Sequence, residues 1–254
     1  MTVTILHKAG DRFHVRNERA DSYFSFSFGD LYREDRLGFG ALRVLNDDVV
    51  SPGAGFGSHP HDNMEIITIM VNGEITHSDS LGNEGIARPG RLQIISAGSG
   101  IFHSEYNKGA ALSANNLQIW VYPNQLNTPP GYRQADYVYP TPLNEWQVIL
   151  EPLGAAAGDP ATGQNAVTQE NTGKLRQDAW FNLARISKGT SLRYPIKKAG
   201  NGVYIFVIEG RLTVEKETLG RRDGLGVSGD EAPEVFAEED AEVLLMDIPM
   251  VNLL

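Results

Sequence analysis

The chain has 254 residues, of which 41% are hydrophobic and 21% charged, so it is long enough for one large β domain or two smaller ones with buried cores. Its net charge of −10 and pI near 5.1 argue against a protein that binds nucleic acid through its phosphates, because such proteins need a basic face. It has no cysteine, which excludes disulfides, zinc–thiolate sites and iron–sulfur clusters and leaves nitrogen and oxygen as metal ligands.

The apolar residues are spread along the chain and do not indicate a membrane segment. No apolar run reaches the roughly 18 to 20 residues that a membrane-spanning helix needs, and the polar start Met1–Thr4 lacks the basic and apolar regions of a signal peptide. The sequence therefore predicts a cytoplasmic protein without membrane or direct nucleic-acid contacts. We expect a monomer whose main partners are small molecules.

The first half of the chain predicts short β-strands joined by glycine- and proline-rich turns. An alternating aromatic–serine run over 23–28 indicates a half-buried strand, because it repeats with period two. The β-branched run over 65–71 predicts a strand that ends at Asn72-Gly73, a signal for a two-residue hairpin with its return strand at 74–78. Further strands are predicted at 40–50, 91–96 and 117–122.

A change in composition divides the chain. Proline, asparagine and tyrosine are frequent over 124–142, and we place a boundary there between domains at 1–138 and 139–254. A Gly/Ala-rich stretch at 154–173 is expected to be mobile. The second domain carries predicted strands at 147–150, 179–186, 202–209, 211–215 and 241–247. Many short strands without helical periodicity predict an all-β fold of sandwiches or barrels. A similar strand–turn–strand pattern at 69–75 and at 207–212 also indicates an internal duplication.

Two pairs of metal-ligand side chains lie in segments that read as strands. His59 and His61 form one pair, and His103 and Glu105 form the other. Because residues i and i+2 of a strand point to the same side, each pair can direct two donor atoms at one point. If the two strands face each other across a barrel, three imidazoles and a carboxylate predict a site for a first-row transition metal. No histidine follows His103, so the second half cannot repeat this site.

Two other side chains compete for a place at the site. Glu65 has the same parity as the first histidine pair and could replace Glu105 as a ligand, or orient a histidine through a hydrogen bond. We favour Glu105, because it adjoins His103 on the same side of its strand. His77 would lie opposite Thr68 in the predicted hairpin and is expected to point away, with a structural hydrogen-bonding role.

The spacing of these residues resembles the two motifs of the cupins. The first motif is matched by Gly53, His59, His61, Glu65 and Gly73, and the second by Gly90, Gly98, His103 and Asn107. One extra residue precedes Gly73 and one precedes His103. Three runs are more specifically similar to the pirin family of bicupins: His-Pro-His at 59–61, His-Ser-Asp-Ser-Leu-Gly-Asn at 77–83 and Ala-Gly-Ser-Gly-Ile-Phe-His-Ser-Glu at 97–105.

The resemblance to pirins carries expectations about fold and activity. It implies two cupin-type (jelly-roll) β-barrels in tandem, with one metal ion, usually iron, in the N-terminal barrel. It implies that His59, His61, His103 and Glu105 hold this ion. It further implies a quercetin 2,3-dioxygenase that uses a flavonol and dioxygen. The alternative is a non-enzymatic, redox-sensitive metal-binding regulator that acts through a protein partner.

Donor chemistry alone leaves the metal and the reaction open. Imidazoles and a carboxylate suit Fe(II), manganese, nickel, copper or zinc, and an octahedral ion with four protein ligands keeps two positions for substrates. In a flavonol dioxygenase Glu105 could also accept the proton of the substrate hydroxyl, which is a catalytic role. A sugar isomerase would need more polar groups than the apolar flanks of both motifs offer. The expected apolar lining comprises Phe56, Met64, Ile101 and Phe102.

Overall fold

Residues 2–154, 172–229 and 232–250 are described by the structure, a computed structural model. The Gly/Ala-rich stretch that is expected to be mobile lies almost wholly outside these residues. Strands dominate the described ranges, with single-turn 3-10 helices at Ala9–Asp11 and Glu34–Arg36. No helix in the described part of the chain is long and apolar enough to cross a membrane. The cytoplasmic location stays a prediction.

Over these ranges the chain forms 22 β-strands, numbered in chain order. The first twelve are β1 (Val3–His7), β2 (Phe13–Arg16), β3 (Ala20–Phe24), β4 (Leu42–Val50), β5 (Gly55–His61), β6 (Glu65–Asn72), β7 (Ile75–Asp79), β8 (Glu84–Ala87), β9 (Arg91–Ser96), β10 (Ile101–Tyr106), β11 (Ala114–Val121) and β12 (Gly131–Asp136). The others are β13 (Gln147–Pro152), β14 (Gly173–Leu175), β15 (Trp180–Ile186), β16 (Ser191–Arg193), β17 (Asn201–Glu209), β18 (Leu212–Val214), β19 (Glu217–Leu219), β20 (Gly224–Ser228), β21 (Glu234–Ala237) and β22 (Ala241–Pro249).

The strands form four sheets, two in each half of the molecule. In the first half a seven-stranded sheet, with the order β12, β9, β6, β11, β4, β3, β2, packs on a four-stranded sheet with the order β5, β10, β7, β8. In the second half the orders are β1, β20, β17, β22, β15, β13, β14 and β16, β21, β18, β19. This arrangement confirms the predicted all-β fold of two jelly-roll cupins in tandem. Each cupin is an open pair of sheets and not a closed barrel.

The largest hydrophobic core lies between the two seven-stranded sheets. Side chains from both halves meet there, among them Leu45 and Ile67 from the first and Phe181 and Phe206 from the second, each at most 1% exposed. Full burial of such a side chain contributes about 1.5–3 kcal/mol. The two halves therefore share a core and stabilise each other.

The interiors of the two cupins differ in polarity. Between the two sheets of the second half lies a second apolar core that includes Val203, Leu212 and Leu245. The corresponding space in the first half holds two small apolar clusters and, between them, buried polar side chains, among them Thr68 and Gln93, both of which are fully buried. Burying polar groups is costly unless they are hydrogen-bonded, so a cluster of them is a candidate for a binding or catalytic site. The fold thus directs attention to the interior of the first cupin.

The first strand crosses from one half to the other. β1 pairs antiparallel with β20, from Val3 opposite Ser228 to His7 opposite Gly224. The predicted domain at 1–138 includes this strand, although it lies in a sheet of the second half. The boundary itself stays a prediction.

The predicted hairpin at Asn72-Gly73 is wrong. β6 pairs with β9 and β11, whereas β7 pairs with β8 and β10, so the turn carries the chain from the large sheet to the small one. Gly73 has a φ of +69°, and a Cβ there would lie 2.9 Å from the Cα of Ala114. The turn needs glycine for both reasons, but a glycine turn does not specify which strand follows it.

Candidate metal centre

Two neighbouring strands carry the predicted histidines. β5 and β10 pair antiparallel, with His59 opposite His103 and His61 opposite Ile101. Predicted to face each other across a barrel, these strands are instead adjacent in one sheet. Directly paired residues share a face of the sheet, so the three imidazoles still converge. One ring nitrogen from each of His59, His61 and His103 lies within 4.8 Å of the others.

Two histidines of this cluster, His59 and His103, each keep one ring nitrogen free to act as a ligand. Nδ1 of His59 lies 2.7 Å from the carbonyl oxygen of Gly57. A carbonyl only accepts hydrogen bonds, so Nδ1 carries the proton and Nε2 keeps its lone pair. Nε2 of His103 is buried and has no hydrogen-bond partner among the described residues. A buried nitrogen without a partner is costly unless something binds it, and a metal ion is the group that such donors fit.

Burial keeps two of the three histidines neutral. Loss of solvation, followed by the proximity of His59, lowers the pKa of His61 to about 4. Loss of solvation, together with the neighbouring His59 and His61, lowers the pKa of His103 to about 2. Neutral imidazole is the form that binds metal ions. The cluster is therefore ready to bind a divalent transition metal at neutral pH.

Glu105 lies beside His103 and is held by three donors. Its Oε1 accepts hydrogen bonds from Gln93 Nε2 at 2.6 Å and Thr68 Oγ1 at 3.3 Å, and its Oε2 accepts one from Gln118 Nε2 at 2.8 Å. Burial raises the pKa of this carboxyl. A second group of donors, within 4.8 Å of one another, contains Glu105, His103 and His77. The structure thus places the carboxylate next to the three imidazoles, and its ligation of a metal stays a prediction.

Glu65 does not reach the histidines. Its Oε2 accepts hydrogen bonds from Ser96 Oγ at 2.9 Å and from the backbone N–H of Arg176 at 3.1 Å, so it ties β6 to the second half of the chain. It belongs to neither group of metal-ligand donors among the described residues. Its predicted alternative roles, as a ligand or as a group that orients a histidine, are not supported by these contacts. Counting parity from β5 fails because β6 lies in a different sheet.

His77 points toward the site, contrary to the prediction. β7 pairs with β10, with His77 opposite Glu105, so its ring is buried beside His103. The parity count assumed a hairpin between β6 and β7 that does not form. The predicted hydrogen-bonding role is confirmed, since Nε2 lies 3.0 Å from Asp79 Oδ2 and Nδ1 lies 3.4 Å from His103 Nδ1.

Comparison with known proteins identifies the chain. The family model described as Pirin matches residues 7–121, and the model described as Quercetinase C-terminal cupin domain matches residues 166–248. A protein named quercetin 2,3-dioxygenase from Escherichia coli K12 is 35% identical over 246 residues, which cover 97% of this chain and 99% of the relative. The chain belongs to the pirin family. A pirin-like protein from Caulobacter vibrioides is also 35% identical, over 87% of this chain and 89% of its own.

Solved structures of bacterial pirins share the whole fold. The crystal structure of YhhW from Escherichia coli superposes with a TM-score of 0.86 at 34% identity and covers 98% of this chain and 99% of that chain. The nickel(II) complex of YhhW superposes with a TM-score of 0.84, also at 34% identity, over 98% of this chain and 100% of that one. Both halves of the present pirin therefore have counterparts in known pirin structures.

His59 and His61 of this pirin line a cavity of about 360 Å³. Aromatic rings and polar groups from β3, β4 and β11 form its walls. The lining residues are Arg19, Ser22, Phe24, Phe28, Asn46, Asp48, Phe56, Gly57, His59, His61, Glu105, Gln118 and Trp120. Small-molecule sites span about 300–1,000 Å³. The cavity is therefore large enough for a flat aromatic molecule.

The expected apolar lining of the pirin cavity is only partly correct. Phe56 lines the cavity, whereas Ile101 and Met64 pack in a separate cluster and Phe102 is 55% exposed. β10 alternates sides, so Ile101 shares the inner side with His103, but it packs with Ile66, Ile95 and Ala97 and does not line the cavity.

Sequence reasoning missed most of the cavity wall. The ring centroid of Trp120 lies 4.8 Å from that of His61. Asp48 is buried, and burial raises the pKa of its carboxyl to about 7, although a hydrogen bond from Ser22 acts in the opposite direction. The sequence signal that could have found them is the group of polar residues within each strand, at 46–48 in β4 and at 115, 116 and 118 in β11. Their position depends on how β4 and β11 pair, which the sequence does not specify.

Proposed function

We propose that this pirin is a metal-dependent dioxygenase that cleaves flavonols such as quercetin, with dioxygen as its second substrate. The observation that carries the proposal is a cluster of neutral imidazoles with free ring nitrogens at the wall of an aromatic-lined cavity. The quercetin 2,3-dioxygenase name of the Escherichia coli relative supports this choice of substrate. A broad cavity beside the donors also favours an enzyme over a regulator that acts through a protein partner.

His59, His61 and His103 would hold the metal, with Glu105 as the fourth ligand. Nε2 is the free nitrogen of both His59 and His103. We propose Fe(II) as the native ion, while manganese, nickel, copper and zinc suit the same donors. The nickel(II) complex of YhhW supports binding of a divalent ion by pirins.

The bound ion would supply Lewis acidity that favours the deprotonated flavonol. Glu105 would accept the hydroxyl proton, because it lies at the cavity wall next to the histidines. Burial raises the pKa of this carboxyl, which makes it a stronger base than an exposed glutamate. Gln93 and Gln118 each donate a hydrogen bond to it and fix its orientation.

The walls of the cavity would hold the planar substrate and exclude water. Phe24, Phe28, Phe56 and Trp120 present apolar ring surface to the cavity. Aromatic rings pack against one another with a gain of about 0.5–1.5 kcal/mol beyond the burial of area. The flat ring system of a flavonol can stack on these rings, whereas the puckered ring of a sugar offers them less surface.

Oxygen uptake by the reconstituted protein tests the proposal. Metal-free protein is loaded anaerobically with Fe(II), Mn(II), Ni(II) or Cu(II), mixed with quercetin, and followed in an oxygen electrode and by loss of the flavonol absorbance. We expect uptake that parallels quercetin loss in at least one form. His59→Ala should abolish it, whereas His14→Ala, at an exposed histidine paired with Asp21, should not. No uptake in any metal form would refute the dioxygenase and favour the regulator.

A further inference from the structure

A chain of buried hydrogen bonds leads away from the metal cluster. Nδ1 of His103 lies 3.4 Å from Nδ1 of His77, and Nε2 of His77 lies 3.0 Å from Oδ2 of Asp79. The side chains of His77 and Asp79 are inaccessible to solvent. The three residues come from the paired strands β7 and β10, in which His103 lies opposite Asp79. The backbone pairing of two strands therefore fixes the whole chain of contacts.

The contacts of Asp79 determine where each proton lies. Its Oδ1 accepts hydrogen bonds from the backbone N–H groups of Leu81 and Asn83, and its Oδ2 accepts from Asn83 Nδ2 and faces His77. A carboxylate with donors at both oxygens only accepts, so Nε2 of His77 must carry a proton. In the neutral imidazole of His77, Nδ1 then has a lone pair, and Nδ1 of His103 donates to it. This leaves Nε2 of His103 unprotonated.

Nε2 of His103 is the buried ring nitrogen without a partner among the described residues. We propose that Asp79 and His77 are positioning residues that hold His103 in the tautomer whose Nε2 can bind the metal. This inference deepens the proposed function and rests on it for the metal, but the tautomer itself is a property of the chain alone. A histidine ligand commonly donates its other ring N–H to such a partner, which raises its donor strength.

Stacking on Tyr132 holds His77 in place between Asp79 and His103. The ring of Tyr132 lies parallel to that of His77, with 4.2 Å between centroids and 7° between planes. The hydroxyl of Tyr132 also donates to Gln93 Oε1 at 3.5 Å, and Gln93 Nε2 in turn donates to Glu105 Oε1. The same group of side chains therefore supports both the third histidine and the carboxylate of the metal centre.

The variant Asp79→Asn should reverse the direction of the hydrogen bonds that join residue 79 to His77 and His77 to His103. The backbone N–H groups of Leu81 and Asn83 hold the amide oxygen at the Oδ1 position, so the amide NH₂ faces His77. Asn83 Nδ2 then loses its hydrogen bond at the Oδ2 position and keeps the one to the oxygen at Oδ1. Nε2 of His77 must then accept, its Nδ1 must donate to His103, and the His103 proton moves to Nε2. The nitrogen that should bind the metal is then blocked.

Two measurements on the full-length protein test this inference. Long-range ¹H–¹⁵N NMR of the metal-free protein should show an unprotonated Nε2 on His103 in the parent chain and a protonated one in Asp79→Asn. Calorimetric titration with Ni(II) should show about a 10–100-fold weaker affinity for the variant. Ser80→Ala, which removes the hydroxyl that accepts from the Phe102 N–H in the same loop, is the matched control and should bind Ni(II) like the parent.

A second variant separates positioning from folding. His77→Phe retains a ring to stack on Tyr132 but cannot accept from His103, so the Ni(II) affinity should fall while the melting temperature of the metal-free protein changes little. Parent-like Ni(II) affinity in Asp79→Asn, or a parent His103 protonated on Nε2, would overturn the inference. So would a second Ni(II) equivalent that disappears in His77→Phe, because His77 would then be a ligand. A parent chain that binds Ni(II) but consumes no oxygen would refute only the dioxygenase.

Discussion

Acid should destabilise the metal-free protein through a histidine that lies far from the metal cluster. His7, at the end of β1, is 6% exposed, and its Nδ1 lies 2.8 Å from the hydroxyl of Tyr204. Burial, reinforced by the charge of Arg36, lowers its pKa from 6.5 to about 4. The unfolded chain therefore binds a proton at this position between these two pH values, and the folded chain does not.

The sign and size of the effect follow from this difference. His7 contributes stability that is fully present above pH 6.5 and is lost as the pH falls toward about 4. Each pH unit in this window costs about 1.4 kcal/mol, so the whole window costs about 3 kcal/mol. Buried carboxyls with raised pKa values, such as Glu105 and Asp247, oppose this trend. The contribution of His7 is therefore best measured as a difference between two proteins.

Urea unfolding, followed by tryptophan fluorescence at half-unit steps from pH 6.5 to 4.5, measures that difference. His7→Gln can still bond to Tyr204 but does not titrate. As the pH is lowered, the free energy of unfolding of this variant should fall less steeply than that of the parent. The two slopes should differ by about 1.4 kcal/mol per pH unit. Equal slopes for His7→Gln and the parent would refute the burial argument.

Three further changes test the site and the fold. His59→Ala should weaken Ni(II) binding more than the loss of a ligand's hydrogen-bonding partner does, which is about 10–100-fold. The melting temperature of the metal-free protein should not change. Parent-like metal content by elemental analysis would contradict this prediction. Glu105→Gln should lower kcat for quercetin by about 10²–10⁴-fold, and an unchanged kcat would exclude it as the base. Gly73→Ala should cost about 1–3 kcal/mol in urea unfolding, because its Cβ would meet the Cα of Ala114 at a positive φ; no loss would show that the turn can adapt.

The sequence predicts local patterns in this pirin better than the pairing of its strands. The parity of His59 and His61, and of His103 and Glu105, is a property of each strand alone, and in each pair both residues point inward as predicted. His77 was misassigned because its orientation depends on which strand β7 pairs with. A period of two defines two faces of a strand, but only the tertiary fold decides which face meets the site.

The same limit applies to the cavity and the interface. Phe56 is close in sequence to His59 and could be found from the motif, whereas Trp120 and Asp48 reach the cavity through the pairing of β11 with β4. Glu65 fits the motif by spacing, yet its partner is the backbone of Arg176, more than a hundred residues away. Contacts between distant segments are not encoded in a local pattern. The monomeric state and a protein partner stay predictions.

The pairing of β1 with β20 has a consequence for biosynthesis. Val3 is translated long before Ser228, its neighbour in the sheet. β1 must therefore wait, with its backbone groups hydrated, until β20 has been translated. A nascent chain that stalls before residue 224 would leave both the strand and the shared core open to aggregation.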